Sequence, residues 1–222
     1  MPEYPEIYLT AKHLRKLLKH KIVHVLPAKF KDIIGAHVEV SQRGKLLYLH
    51  FQKQYILIHA MLNGKWSYTK PENPKLTLTF DNDVTVYFSE SRNIGYVKLA
   101  NDLPEMGVGV MDITLPEFTE LINSKASVYS ILMDQNKICG IGNYLACEIL
   151  YDSNIYPRVR GEELNKEDVS RLYKSMRGVI QDSIDSGGSC HYKIFDEAGG
   201  YIPRVYKKSK KTMRIGGRTV YY

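Results

Sequence analysis

The sequence lacks the features of a membrane protein or a disulfide-bonded scaffold. No apolar run approaches the roughly 18 residues of a membrane span. Glu3, Glu6 and the basic residues after them interrupt any signal-peptide core. The three cysteines, Cys139, Cys147 and Cys190, are too scattered for a disulfide framework or a CxxC metal knuckle. We therefore expect reduced thiols in a cytoplasmic protein, with no metal and no cofactor.

Acidic residues are also fewer than basic residues. The 222 residues include 31 Lys+Arg against 24 Asp+Glu, a net charge of +7, and the sequence pI is about 9.1. This excess suggests an anionic partner, such as nucleic acid or a membrane surface. The length suits one large domain or two small ones, and no low-complexity tract indicates disorder.

The first residues carry a possible reactive group. If the initiator methionine is removed, the chain starts with the secondary amine of Pro2, followed at once by the Glu3 carboxylate. An α-amino group has a pKa near 7.7 to 8.0, so it can attack an aldehyde-level carbon while Glu3 moves the proton. The alternative is that prolines and acids only start a helix here.

The residue pattern predicts one helix followed by strands. Apolar residues fall largely at helical spacing from Glu3 to about Lys19. Beyond them, β-branched and aromatic residues predict eight short strands, at 21–28, 33–40, 45–51, 55–62, 66–68, 75–80, 84–88 and 96–100. Eight such strands suggest a β-sandwich. A Pro- and Gly-bearing stretch at 103–116 marks the boundary between a domain at 1–108 and another at 116–222.

The second half predicts helices and a terminal hairpin. The helices fall at 115–123, 127–133, 144–153 and 166–185, the last capped by Asn165 with Asp168 at its third position. Between Arg204 and Arg218 there are seven Lys/Arg and no acid. This run is either a solvated tail or a folded basic hairpin at about 203–222. The two-residue Gly216-Gly217 turn favours the hairpin.

A glycine-containing turn precedes one of these helices. Residues 134–150 read Asp-Gln-Asn-Lys-Ile-Cys-Gly-Ile-Gly-Asn-Tyr-Leu-Ala-Cys-Glu-Ile-Leu. Gly140 and Gly142 allow a backbone to approach an anion, with the N–H groups of the following helix pointing at it. Asn143 adds an amide donor. A tight turn that only packs two helices is the alternative.

This segment resembles the helix-two-turn-helix element of the formamidopyrimidine-DNA glycosylase and endonuclease VIII family. The opening Pro2-Glu3-x-Pro5-Glu6-Ile7, the strand Arg43-Gly44-Lys45-Leu46-Leu47 and the terminal hairpin extend the resemblance over essentially the full chain. It implies an α+β fold, with an N-terminal helix and catalytic β-sandwich domain before a helical helix-two-turn-helix domain. Since no cysteine follows Cys190, the C-terminal β-hairpin resembles the family's zincless finger.

The resemblance also implies roles for individual residues. Pro2 attacks the sugar C1′ and Glu3 assists, while Lys45 contacts a phosphate and Arg218 grips the lesion's phosphates together with Asn143. Further expected DNA contacts are His59, Gly140, Gly142, Arg92 and Lys137. Glu6 and Glu148 are expected to be supporting carboxylates that orient the active-site end or hold helix termini.

A base flipped out of a duplex leaves a gap that side chains must fill. The endonuclease VIII type takes its void fillers from one loop, here Met61, Leu62 and Asn63. The formamidopyrimidine type distributes them, here as Leu62, Arg92 and Ile94. Met61 and Leu62 as plain core residues are the alternative.

Taken together, the resemblance implies a monomeric DNA glycosylase and abasic-site lyase of base excision repair, nucleoid-associated if bacterial, with damaged DNA and no membrane as its partner. It excises the base through a Pro2 Schiff base and cuts the strand by β- and δ-elimination, with the DNA crossing a cleft between the domains. Leu145 stands where the family often has an aromatic residue, and residues 189–201 leave little room for a loop over an oxidised purine. We therefore expect oxidised pyrimidines or ring-opened lesions rather than 8-oxoguanine. The alternatives are a catalytically inactive damaged-DNA-binding protein and an architectural or RNA-associated module.

Overall fold

The computed structural model describes residues 2–222, so the expected removal of Met1 lies outside the described residues. The chain divides into two compact units. The first holds the residues up to Pro104 together with Gly187–Gly200, and the second holds Glu105–Ser186 together with Tyr201–Tyr222. Each unit is therefore built from two separate stretches of chain.

The first unit contains helix α1, Tyr4–Leu17, and two four-stranded sheets. Its strands are β1 Ile22–Leu26, β2 Val38–Arg43, β3 Leu46–Phe51, β4 Gln54–His59, β5 Lys65–Ser67, β6 Leu76–Phe80, β7 Thr85–Ser89 and β8 Tyr96–Ala100. One sheet has the order β1-β6-β7-β5 and the other β2-β3-β4-β8, with antiparallel neighbours throughout. All eight predicted strands are present, and the predicted β-sandwich is confirmed.

Three predicted strand limits are wrong. The segment Ala28–Ile33 is a 3-10 helix that buries Phe30 and Ile33, so β1 ends at Leu26 and β2 begins only at Val38. Strand β4 ends at His59, and Met61 beyond it has a positive φ of 47°, which extended pairing does not allow. In each case apolar residues continue past the limit of the strand, so composition alone misplaced that limit.

The core of the first unit lies among the two sheets and one face of α1. Helix α1 buries Ile7, Ala11 and Leu14, which follow one another at helical spacing. They join a single apolar cluster with inward residues of both sheets, including Leu49 and Phe88. This packing holds the N-terminal turn of α1 against the sandwich.

The second unit is mainly helical. Its helices are α2 Leu115–Ile122, α3 Val128–Met133, α4 Asn143–Asp152 and α5 Lys166–Asp185. Two short strands, β9 Val108–Gly109 before α2 and β10 Ile138–Cys139 between α3 and α4, pair in parallel. The Asn165 side chain accepts a hydrogen bond from the Asp168 N–H at 2.8 Å, which confirms the predicted cap of α5.

Two small antiparallel strand pairs complete the two units. Strands β11 Lys193–Ile194 and β12 Glu197–Ala198 form a small antiparallel pair in the first unit. Strands β13 Thr212–Ile215 and β14 Arg218–Tyr221 form the predicted C-terminal hairpin in the second. Across residues 2–222, no helix has both the length and the apolar character needed to cross a membrane.

Candidate functional site

The N-terminal end is held in place by a buried carboxylate. Pro2, Glu3 and Glu6 are all buried, with Glu3 1% and Glu6 0% exposed. The Glu6 carboxylate accepts hydrogen bonds from the N–H groups of Glu3 and Ser189, each at 2.8 Å. Glu3 is also the cap residue of α1. The Pro-Glu sequence therefore does start a helix, and Glu6 anchors that start to residues 187–200.

Lys45 and His59 lie at the same end of neighbouring strands. Gly44, with a φ of +55°, turns the chain between β2 and β3, and Leu46 after Lys45 pairs with His59 on β4. The pKa of His59 is lowered, first by burial and then by the positive charge of Lys45. His59 is therefore neutral at pH 7, and its Nδ1 accepts the Met61 N–H at 3.1 Å.

The loop after β4 exposes two large apolar side chains. Met61 is 38% and Leu62 44% exposed, so the alternative that both are core residues is wrong. Asn63 differs, because it is half-buried and its Nδ2 donates to Ser91 Oγ at 2.6 Å. The Asn63 Oδ1 is buried with no hydrogen-bond partner in the described part of the chain.

A second loop, which follows β7, exposes Arg92 and Ile94, the latter by 43%. Its backbone is bound by Glu90, whose carboxylate accepts the N–H groups of Arg92, Ile94 and Gly95 at 2.9, 3.0 and 3.1 Å. Apart from half-buried Asn63, the predicted void fillers are therefore exposed on loops of the first unit, and the Asn63–Ser91 hydrogen bond links the two loops.

In the second unit, the glycine turn is supported by one glutamine. Gln135 accepts the Gly140 N–H at 3.1 Å and donates to the Ile141 carbonyl at 2.8 Å. Gly140 has a φ of +120°, which favours glycine. Gly142 precedes α4 as its cap residue, while Lys137 is exposed on the same turn.

The structure brings Asn143 to the C-terminal hairpin. The Asn143 Nδ2 donates to the Thr219 carbonyl at 2.9 Å, and its Oδ1 accepts from the Tyr129 hydroxyl at 2.8 Å. Arg218, the neighbour of Thr219 at the start of β14, is exposed. The two predicted phosphate-binding residues are therefore connected through β14, and Asn143 retains a second N–H for a ligand.

Glu148 anchors the segment that leads to this hairpin. It is fully buried and accepts backbone N–H groups from Arg204, Val205 and Tyr206 at 2.6, 2.9 and 2.8 Å. Burial and then the Glu148 charge raise the pKa of Tyr201 well above its usual range. Tyr201 therefore stays a neutral donor to Glu148, at 3.4 Å.

Sequence reasoning missed four residues that shape these loops and turns: Glu90, Ser91, Tyr129 and Gln135. An acid directly before a polar, glycine-ended loop is a usable signal for Glu90, since carboxylates often bind the N–H groups that follow them. Within residues 2–222, no disulfide links the three cysteines, and no three His, Cys, Asp or Glu side chains are grouped to hold a metal.

The first unit is a β-sandwich with a buried N-terminal Pro-Glu pair, and the second has a glycine turn hydrogen-bonded to a basic hairpin. This is the arrangement that the resemblance to helix-two-turn-helix DNA glycosylases implied. Family models agree with this class. The formamidopyrimidine-DNA glycosylase N-terminal domain matches residues 1–97, and the formamidopyrimidine-DNA glycosylase H2TH domain matches residues 111–193. The chain belongs to the formamidopyrimidine-DNA glycosylase and endonuclease VIII family.

Individual relatives are similar over their whole length. The formamidopyrimidine-DNA glycosylase of Chloroflexus aurantiacus is 26% identical, with 100% of this chain and 96% of that protein covered. The enzyme of the same name from Pelotomaculum thermopropionicum is 27% identical, with 100% and 97% covered. The alignment with the former runs over 270 positions, although this chain has 222 residues, so the chain is shorter in places.

Solved structures show the same fold. The MutM (Fpg) protein from Thermus thermophilus has a TM-score of 0.87 and 21% identity, with 100% of this chain and 97% of that chain covered. The Lactococcus lactis Fpg, in a complex with abasic site containing DNA, has a TM-score of 0.85 and 21% identity, with 99% and 97% covered. The expected α+β fold is thereby confirmed.

Proposed function

We propose that this protein is a DNA glycosylase and abasic-site lyase of base excision repair. The observation that carries the proposal is the buried Pro2-Glu3 pair, anchored through Glu6 at the first turn of α1, in a chain of this family. A reactive amine on a rigid element reaches its target with little loss of conformational freedom.

In the proposed reaction, removal of Met1 frees the Pro2 amine. The amine nitrogen forms a bond to C1′ of the flipped nucleotide, and the base leaves with the electrons of the glycosidic bond. Glu3 assists this departure by passing the proton that the nitrogen loses to the base, and it then supplies a proton to the ring oxygen as the sugar ring opens. The resulting iminium is cationic and acidifies the C2′ proton, so loss of that proton expels the 3′ phosphate by β-elimination. A second elimination then expels the 5′ phosphate.

Exposed and half-buried side chains supply the proposed DNA contacts. Arg218, Lys137 and Asn143 of the second unit, with the glycine turn at 140–142, are suited to phosphates. In the first unit Lys45 is proposed to contact a phosphate and His59, as a neutral imidazole, to contact the DNA. Met61 and Leu62, with Arg92 and Ile94, are proposed to fill the gap left by the flipped base.

We further propose that oxidised pyrimidines or ring-opened lesions are preferred over 8-oxoguanine and that the protein acts as a monomer. The short segment at 187–200 supports the first point. Tyr192 is held there by a hydrogen bond of 2.6 Å from its hydroxyl to the Gly64 carbonyl. Phe195 is buried in the core of the first unit. Little of this segment is left to fold over a large base.

Borohydride trapping on DNA with an abasic site tests the proposal, because reduction converts an iminium into a stable covalent adduct. The methionine-processed protein is expected to cross-link and to cut the strand. A preparation with a blocked N-terminus is expected to do neither. A Glu3→Gln variant should lose release of a damaged base. Pro5→Ala changes the other proline of the same turn, so this control variant should still cross-link.

If the methionine-processed protein binds abasic DNA but does not cross-link to it, the chain is instead an inactive damaged-DNA-binding protein.

A further inference from the structure

Glu90 is a buried carboxylate that no step of the proposed reaction uses. It lies directly after β7 and is only 3% exposed. Three N–H groups of the following loop, those of Arg92, Ile94 and Gly95, all donate to its two oxygens. Burial alone would raise the pKa of Glu90, but these hydrogen bonds and the Lys75 charge lower it below its usual range. Glu90 is thus an ionised group that sets the course of the loop backbone.

The two void-filling loops are also in direct contact. A Cβ at Gly95 would lie 2.6 Å from the His59 carbonyl oxygen and 2.9 Å from Glu90 Cγ, so the second loop packs against the end of β4. Asn63 of the first loop donates to Ser91 Oγ at 2.6 Å. Ser91 adjoins Glu90 in the chain. The Asn63–Ser91 hydrogen bond and the packing of Gly95 against His59 therefore both lie beside Glu90.

A further hydrogen bond holds the second loop through the side chain of Asn93. Lys75 Nζ donates to Asn93 Oδ1 at 2.9 Å, and Asn93 has a positive φ of 56°. Residues with positive φ persist where the surrounding contacts hold them. Arg92 and Ile94 lie on either side of Asn93. The loop that carries them is therefore held by Glu90 through its backbone and by Lys75 through the Asn93 side chain.

We infer that Glu90 is a positioning residue. It fixes the loop at 91–95, and the hydrogen bond between Asn63 and Ser91 then holds that loop and the loop at 60–64 together as one wedge. This inference rests on the proposed function, in which these loops enter a duplex when a base is flipped. A wedge that is ordered before binding loses less conformational freedom when it enters the base stack. Single-stranded DNA has no stack to enter, so Glu90 matters for duplex substrates and not for the chemistry at Pro2.

The test compares Glu90→Gln with the unchanged protein on one lesion, placed in duplex and in single-stranded DNA. Replacing the carboxylate weakens three charge-assisted hydrogen bonds, and we expect the ratio of kcat/KM on duplex to that on single strands to fall by about tenfold. Ser91→Ala, an exposed position that leaves Glu90 intact, should lower the same ratio to a smaller degree. Glu72→Gln removes an exposed carboxylate of the same unit and should leave the ratio unchanged.

Amide hydrogen exchange of Arg92, Ile94 and Gly95 tests the loop without any substrate. Since Glu90→Gln also loses a buried charged acceptor, its melting temperature should be lower, and exchange is compared where both variants are folded. Exchange of these three amides should be faster than in Glu72→Gln, while exchange of the β6 amides stays unchanged. If the ratio of kcat/KM on duplex to that on single strands is unchanged in Glu90→Gln, either because neither value falls or because both fall equally, the inference is overturned. If the unchanged protein neither excises bases nor cuts abasic DNA, the proposed function fails instead, and this is visible before any variant is compared.

Discussion

His59 illustrates how burial and one neighbouring charge set the state of a single residue. Burial and then Lys45 lower its pKa, and its Nδ1 accepts the Met61 N–H. Protonation would remove that acceptor and place a second positive charge beside Lys45. The first void-filling loop therefore depends on a neutral imidazole.

This dependence predicts how stability changes with pH. Because the folded-state pKa of His59 lies below the unfolded value of about 6.5, the unfolded chain takes up the proton first. The free energy of unfolding should therefore fall as pH drops from 7.5 through 6.5, and the fall should level off below the folded-state pKa. Denaturant titrations of the unchanged protein and of His59→Gln measure the effect.

His13 supplies the comparison for this experiment. Its pKa is also lowered, first by burial and then by Lys16, with an opposing influence from Glu197. The unchanged protein should thus lose more stability on acidification than His59→Gln, which retains the His13 contribution. Equal losses in both proteins would contradict the assignment to His59.

Among the secondary-structure elements, the C-terminal hairpin depends on a residue far from it in the chain. Glu148 of α4 accepts the N–H groups of residues 204–206, and Arg204 also pairs with Asp152 at 2.9 Å. The hairpin of β13 and β14 begins shortly afterwards. A buried carboxylate on a helix thus anchors the segment that leads to the basic hairpin.

We predict that Glu148→Gln lowers the free energy of unfolding of the second unit by roughly 2 to 4 kcal/mol, because buried N–H groups lose a charged acceptor. Chemical denaturation measures the loss. Glu120→Gln, an exposed position on α2, should change stability by less than about 0.5 kcal/mol. A loss at Glu148 no larger than that at Glu120 would show that other contacts hold residues 204–206.

The elements also show how far sequence reasoning extends. Alternating β-branched and aromatic residues are a local signal, and they predicted all eight strands of the sandwich. Contacts between distant loops have no local signal. The hydrogen bond between Asn63 and Ser91 joins residues 28 positions apart, and strands β11 and β12 have only two residues each. The spacing of residues reveals neither the hydrogen bond between the loops nor strands this short. The link between the loops and the packing of residues 187–200 were therefore not predicted.

For the whole molecule, charge predicts how DNA binding responds to salt. The net charge is +7, and seven cationic residues fall between Arg204 and Arg218. Each cation that neutralises a phosphate releases counterions, so affinity falls as salt rises. The chain should bind DNA with a steep salt dependence whatever the sequence of the DNA.

Arg218→Ala should reduce the slope of log K against log salt by about 0.9, the change expected for one lost phosphate contact. Lys125→Ala removes an exposed cation of the same unit outside the hairpin and should leave the slope unchanged. Fluorescence anisotropy at several salt concentrations measures both. Base release should suffer more than abasic-site cutting, and equal losses on both substrates would contradict the role of Arg218 as a grip on the lesion's phosphates.

The return of residues 187–200 to the first unit has a consequence for synthesis of the protein. A ribosome delivers the sandwich strands first, yet the Phe195 side chain that completes their core emerges nearly one hundred residues after β8. Domains commonly fold in the order in which they are made. Here the nascent first unit must wait, with an open core, until most of the second unit has left the ribosome. Ser189, which donates to Glu6, arrives equally late, so the N-terminal anchor is completed only after most of the second unit has been made.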